Sequence, residues 1–126
     1  MQEQLTKDSP EMSKLKGDLS GYIGTEQYWK GAFTLDYTDG VKGLIELANC
    51  YWLITDLSIV SKMKFKNVPF QVWTLTVKED HTAVLKMQED TGEPVKYRQE
   101  YGYTDFPVGA FNLYAIDGVL LLPSEY

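Results

Sequence analysis

TDGVKGLIELANCYWLITDLSIVSKM, residues 38–63, is the stretch on which the fold turns. It opens on Thr38 and Asp39, whose side-chain oxygens can satisfy the first free amides of a helix. Val41, Leu44, Ile45, Ala48, Trp52, Ile59 and Met63 then recur on one face at helical spacing. Leu53, Ile54, Leu57 and Val60 add apolar surface on the far side. A helix apolar on more than one side has to be covered on more than one side. The stretch is therefore expected to form one long central helix.

Working outward, Met12, Leu15 and Leu19 follow a helical 3, 4 spacing after Pro10, which predicts a short amphipathic helix from Pro10 to Leu19. Residues 1–9 are polar and are expected to be disordered. The aromatic, roughly alternating run from Gln27 to Tyr37 reads as a strand, with Gly31 a bulge or a site of close backbone approach. Beyond the central helix come FQVWTLTV, a turn at Glu79-Asp80, TAVLKMQ, a turn at EDTGEP, and VKYRQEYGY, with Tyr97 and Tyr101 on one face. TDFPVGA breaks the pattern, and FNLYAI and VLLL form a hairpin about Asp117-Gly118. Short connections favour antiparallel pairing, since parallel neighbours need a crossover of a dozen residues or more. The expectation is α+β: an antiparallel sheet of five or six strands packed on one long central helix, plus the short N-terminal helix, in a single domain over 1–126.

Composition narrows the function classes. The chain has 44% hydrophobic and 13% aromatic residues, a globular balance. One cysteine, Cys50, excludes an internal disulfide and a multi-cysteine zinc site. The N-terminus lacks the apolar core of a signal peptide, and no apolar run approaches the roughly 20 residues of a membrane span. A soluble, cytoplasmic protein without membrane association is expected. The net charge of −6 is uneven: residues 1–78 hold nine acidic and nine basic groups, whereas residues 79–126 hold nine acidic groups against Lys86, Lys96 and Arg98. With one arginine and no basic cluster, direct nucleic-acid binding is not expected. The acidic half is compatible with a basic protein partner, and equally with charge that merely keeps the chain soluble.

Candidate site residues are few. The triplet Tyr-Thr-Asp occurs at Tyr37–Asp39 and at Tyr103–Asp105, each where a strand gives way to a turn or helix, so capping accounts for both. A sharper reading brings Asp39 and Asp105 together as a carboxylate pair for a cation or for acid–base work. Lys42, Asn49 and Asp56 recur every seven residues as a polar stripe beside Trp52, either a solvated edge or the border of a cleft that aromatic rings could line. His81, the lone histidine, falls at an exposed turn with no nucleophile signature beside it. Glu125 is expected to emerge at a sheet end with Tyr126 docked on the sheet, held against Arg98 or a lysine. Phosphate-binding, dinucleotide, zincin and hydrolase motifs are all missing, so no catalytic residue, metal or cofactor is assigned. The binding candidates are Asp39, Asn49, Trp52, Asp56, Asp105 and Glu125.

YTDGVKGLIELANCYWLITDL, YTDFPVGAFNLY and the terminal LLLPSEY together resemble a small bacterial family, found in genomes and on mobile elements, that is catalogued as a domain of unknown function. The resemblance covers roughly Leu19 to Tyr126, and the TDFP and LPSEY elements are its most specific parts. It implies a bacterial cytoplasmic protein and carries over no activity, cofactor or functional residue. The function expected is a small non-enzymatic interaction or accessory domain. The alternative is a small-molecule-binding or enzymatic domain using carboxylates beside an aromatic cleft. Nothing in the sequence sets the oligomeric state.

Overall fold

The computed structural model describes residues 7–126, in which seven strands form one sheet and three helices pack on one of its faces. Helix α1 spans Pro10–Leu19, with proline in its first turn and the Ser9 hydroxyl accepting from the Met12 amide at 3.1 Å. Strands β1 (Tyr28–Trp29) and β2 (Asp36–Thr38) lead into helices α2 (Asp39–Ala48) and α3 (Tyr51–Lys64). Strands β3 (Phe70–Val77), β4 (Ala83–Gln88), β5 (Val95–Tyr101), β6 (Gly109–Ile116) and β7 (Val119–Leu121) follow, and a 3₁₀ turn covers Pro123–Glu125. The strand order is β1-β2-β7-β6-β3-β4-β5.

Two expectations are overturned. Residues 38–63 do not form one long central helix, because Asn49 takes the left-handed conformation (φ 50°, ψ 46°) and ends α2. Asparagine tolerates that conformation better than other residues with a Cβ, since its short polar side chain satisfies nearby backbone. The break resets the helical phase. On α3 the buried face is Leu53, Ile54, Leu57, Ser58 and Ser61, while Ile59 is exposed and Met63 is 78% exposed. Trp52 is half-buried.

The sheet, likewise, is not five or six antiparallel strands but seven, and it is mixed. Gln27–Tyr37 is not a single strand. The chain reverses between Trp29 and Asp36, where the Thr34 hydroxyl accepts from the Gly31 amide at 2.9 Å and Phe33 has φ 68°. Gly31 is indeed a close approach, because a Cβ there would strike the Tyr51 hydroxyl. β2 and β7 run parallel, Asp36 opposite Val119 and Tyr37 opposite Leu120. Short connections dictate antiparallel pairing only between consecutive strands; two strands so far apart in sequence can meet in either direction.

The core lies between the helices and one sheet face, with Trp73, Leu75, Val77, Leu85, Met87, Phe111 and Leu113 facing Met12, Leu44, Leu53, Ile54 and Leu57. One buried polar group ties the layers. Gln71 accepts from Ser61 Oγ (2.8 Å) and Trp73 Nε1 (2.9 Å) and donates to the carbonyls of Phe65 (3.0 Å) and Val68 (3.1 Å). All of its side-chain bonding capacity is used. Before α1, the Ser9 amide bonds the Val108 carbonyl at 2.9 Å and Asp8 Oδ1 accepts from the Ala110 amide at 3.2 Å, while residues 1–6 lie outside the described residues.

The tail closes the fold from far along the chain. Glu125 Oε1 accepts from the Thr38 hydroxyl at 2.6 Å and from the Leu122 amide at 3.0 Å, and Oε2 accepts from the Gly40 amide at 3.1 Å. The carboxylate therefore sits at the N-terminus of α2, where negative charge is favoured, and not against Arg98. Arg98 pairs with Glu100. Only glycine fits at position 40, because a Cβ would collide with the Glu125 carboxylate and with Leu122. The Tyr126 ring docks edge-on against Phe70 (5.6 Å) and Tyr114 (5.7 Å).

Glu125→Ala should lower stability by about 2 kcal/mol, the scale of losing charge-assisted capping bonds, as read from a urea midpoint. On α3, Leu57→Ala should cost about 3 kcal/mol and Met63→Ala less than about 0.5 kcal/mol. The reverse order would put the buried face on the wrong side.

Candidate functional site

The left-handed turn at Asn49 bends the chain so that α3 starts beside Tyr101, the last residue of β5. Cys50, in that turn, is fully buried with its thiol 3.7 Å from the Leu44 carbonyl, and burial pushes its pKa up to about 12. Such a thiol packs and does not react.

One turn on, Trp52 and Asp56 share a face of α3 at i, i+4 spacing. Trp52 meets Tyr101 edge-to-face at 5.2 Å, and the Tyr101 hydroxyl donates to Asp56 Oδ2 at 2.8 Å. Tyr101 reaches both because the pleat of β5 puts Tyr97, Gln99 and Tyr101 on its helix side. Burial, and then the neighbouring Asp56 carboxylate, raise the Tyr101 pKa above its ordinary value of 10.

After β5 the second Tyr-Thr-Asp copy makes a turn and no helix. Thr104 Oγ1 accepts from the Phe106 amide at 3.1 Å, its amide bonds the His81 carbonyl at 2.9 Å, and its carbonyl lies 3.1 Å from His81 Nδ1. Thr104 and Phe106 are both buried, so Asp105 between them is turned outward. Tyr103 is 71% exposed, its ring 5.8 Å from that of His81. His81 is thus half-buried and engaged with this turn, not a free exposed side chain.

Asp105 separates two hollows. One of about 260 Å³ is lined by Trp52, Tyr101, Tyr103, Thr104 and Asp105. The other, about 430 Å³, is bounded by Ser9, Glu11, Leu47, Ala48, His81, Asp105, Pro107 and Val108. No lysine or arginine lines either. The Asp105 carboxylate accepts no hydrogen bond and has no ion-pair partner among the described residues.

Trp52, Asp56 and Asp105 therefore gather at one end of the molecule, with Asn49 making the corner that brings them there. Asp39 and Glu125 belong to the other end of α2. Asp39 Oδ1 accepts from Trp29 Nε1 at 2.9 Å and Oδ2 from the Glu26 amide at 3.0 Å, and the indole bond leads in holding its pKa below the usual carboxylate range. Asp39 opens α2, and Asp105 lies beside Leu47 and Ala48 at its close. A ten-residue helix, about 15 Å at 1.5 Å per residue, separates the two, so they form no carboxylate pair. Among the described residues, no group of three or more His, Cys, Asp or Glu could hold a metal ion. Glu11 and Leu47 were not among the sequence candidates. Glu11 looks like an ordinary surface residue of a short helix, and Leu47 becomes part of the hollow only through the turn at Asn49.

One family model matches the chain: the Family of unknown function (DUF6876), over residues 13–126. No match is found among curated proteins or among solved structures. No helix among the described residues is long and apolar enough to cross a membrane.

The contribution of the Tyr101 phenol to stability should be whole below pH 10, where it is neutral in both states, and should fall away as pH rises above 10, where only the unfolded chain ionises readily. Tyr101→Phe should flatten that alkaline limb and cost about 1 kcal/mol at neutral pH, as measured by denaturant titration across pH.

Proposed function

The chain belongs to the family of unknown function DUF6876, and from that premise we propose that it is a non-enzymatic interaction domain which binds a basic segment of a partner protein at the Trp52–Tyr103–Asp105 end. The observation that carries this is the unpartnered Asp105 carboxylate between two hollows that contain aromatic and apolar side chains and no cation of their own. Aromatic faces next to a carboxylate suit a lysine or arginine side chain, which gains from both the ring quadrupole and the charge. Glu11 extends the acidic border into the second hollow, and the exposed Leu47 adds apolar contact.

The acidity of residues 79–126 is divided between the two ends of the sheet and forms no single acidic face. Glu79, Asp80 and Asp105 lie at the β3–β4 end of the sheet, while Glu89, Asp90, Glu93 and Asp117 lie at the opposite end. At that opposite end Glu89 is engaged by Lys96. A small-molecule or enzymatic role draws less support. The aromatic hollow, about 260 Å³, is smaller than the roughly 300–1,000 Å³ of ordinary ligand pockets; the second, about 430 Å³, is within that range but lacks Trp52 and Tyr101, and Asp56 is already bonded by Tyr101. A bacterial, cytoplasmic setting is part of the same proposal and rests on the resemblance carried by the TDFP and LPSEY elements.

Decalysine, with an uncharged Gly-Ser peptide of equal length as control, provides the test by two-dimensional NMR. Decalysine should shift the Trp52 indole and the amides around Asp105, and the effect should weaken as salt rises past about 0.1 M, where the screening length is about 10 Å. Asp105→Asn and Glu11→Gln should each reduce the affinity without changing the melting temperature. Shifts confined to the β4–β5 turn, or an affinity indifferent to Asp105→Asn, would overturn the assignment.

A further inference from the structure

Among the described residues, the sheet leaves one long edge open. β1, at one margin, is two residues long. The part of β6 beyond the reach of β7 is engaged by Asp8 and Ser9, through the Ala110 amide and the Val108 carbonyl. β5, at the other margin, runs seven residues, pairs with β4 alone, and receives no other backbone hydrogen bond among the described residues. A free row of amides and carbonyls of that length is a template for another strand.

The side chains of β5 are complementary to themselves. Laid antiparallel on a copy of itself with the two-fold axis at Gln99, the strand sets Arg98 opposite Glu100 of the copy, and Glu100 opposite its Arg98. On the helix side the same register sets Tyr97 opposite Tyr101 of the copy, and reciprocally, with Gln99 facing Gln99. Opposite charges and aromatic pairs directly across a ladder are favourable. Arg98 and Glu100 are free to turn to this use: both are well exposed, and their contact within one chain is long, 3.4 Å. A register centred on Arg98 would instead face that arginine with its own copy.

We infer that the chain forms a two-fold symmetric dimer by pairing β5 with β5 of a second copy, in the register centred on Gln99, so that two seven-stranded sheets become one continuous sheet. The occupant is a second copy because the strand carries both halves of the charge pattern that it needs. The inference rests on the edge and its register, and is independent of the basic-segment proposal.

Sedimentation equilibrium of the full chain over a wide concentration range tests it. A reversible monomer–dimer equilibrium is expected, with amide exchange in residues 95–101 slowed in the dimer. Arg98→Glu and Glu100→Arg, each alone, should weaken the dimer about tenfold or more, since each sets two like-charge pairs across the axis. The double variant R98E/E100R should restore it. Thermal melting of each variant at concentrations low enough that the parent too is monomeric, expected to match the parent because both side chains are exposed, separates misfolding from lost association. A chain that stays monomeric at every concentration, a dimer indifferent to the single reversals, or a double variant that fails to recover would each overturn the inference.

Discussion

The carboxylate of Glu125 at the start of α2 is the contact on which the left half of the sheet depends. The first amides of α2 are satisfied entirely by side chains: Asp39 N by Thr25, Gly40 N by Glu125 and Val41 N by Thr38. Two of these partners come from beyond the helix, one from the loop before β1 and one from the last turn of the chain. With them in place β1, β2 and β7 share a frame. Glycine at position 40 is what lets the carboxylate come so close.

The TDG and LPSEY elements therefore describe one constellation seen from its two ends. Thr38 caps and donates, Asp39 anchors Trp29 and Glu26, Gly40 makes room, Glu125 fills it and Tyr126 lies on the sheet. TDFP is a separate device. Its Thr104 fixes a turn around Phe106 and His81, and the alternation of buried and exposed residues there turns Asp105 outward. The residues of these elements thus mostly fold the chain, whereas the Asp105 carboxylate bonds nothing among the described residues.

How much of this was legible follows from range. Local features were open to reading: proline and the 3, 4 spacing placed α1, alternation placed β3 with its observed bounds, and Asp117-Gly118, with φ of 50° and 84°, is the hairpin turn. The break at Asn49 was not, because apolar residues continue at a helical spacing through Ala48 and Trp52, and periodicity carries no mark of a single left-handed residue. The parallel contact of β2 with β7 was hidden by distance along the chain. Of the site candidates, Trp52, Asp56 and Asp105 converge, yet their meeting needs both the Asn49 corner and the pleat that aims Tyr101 at Asp56. Neither is written in spacing alone.

The parallel pairing of β2 with β7 also orders events in time. Its partners, Tyr37 and Leu120, are separated by most of the chain, and the Gly40–Glu125 bond spans 85 positions. The entropy of closing so long a loop must be met before the contacts made there give anything back. The hairpin ladder of β3, β4, β5 and β6, made of near neighbours, can assemble first. During synthesis β1, β2 and α2 emerge early and can pair with one another and pack on α1, but the Gly40 amide gains its partner only when Glu125 exists. The late part of the chain thus completes the early part, with the Gly40 amide as the open position at the start of α2 in the interval.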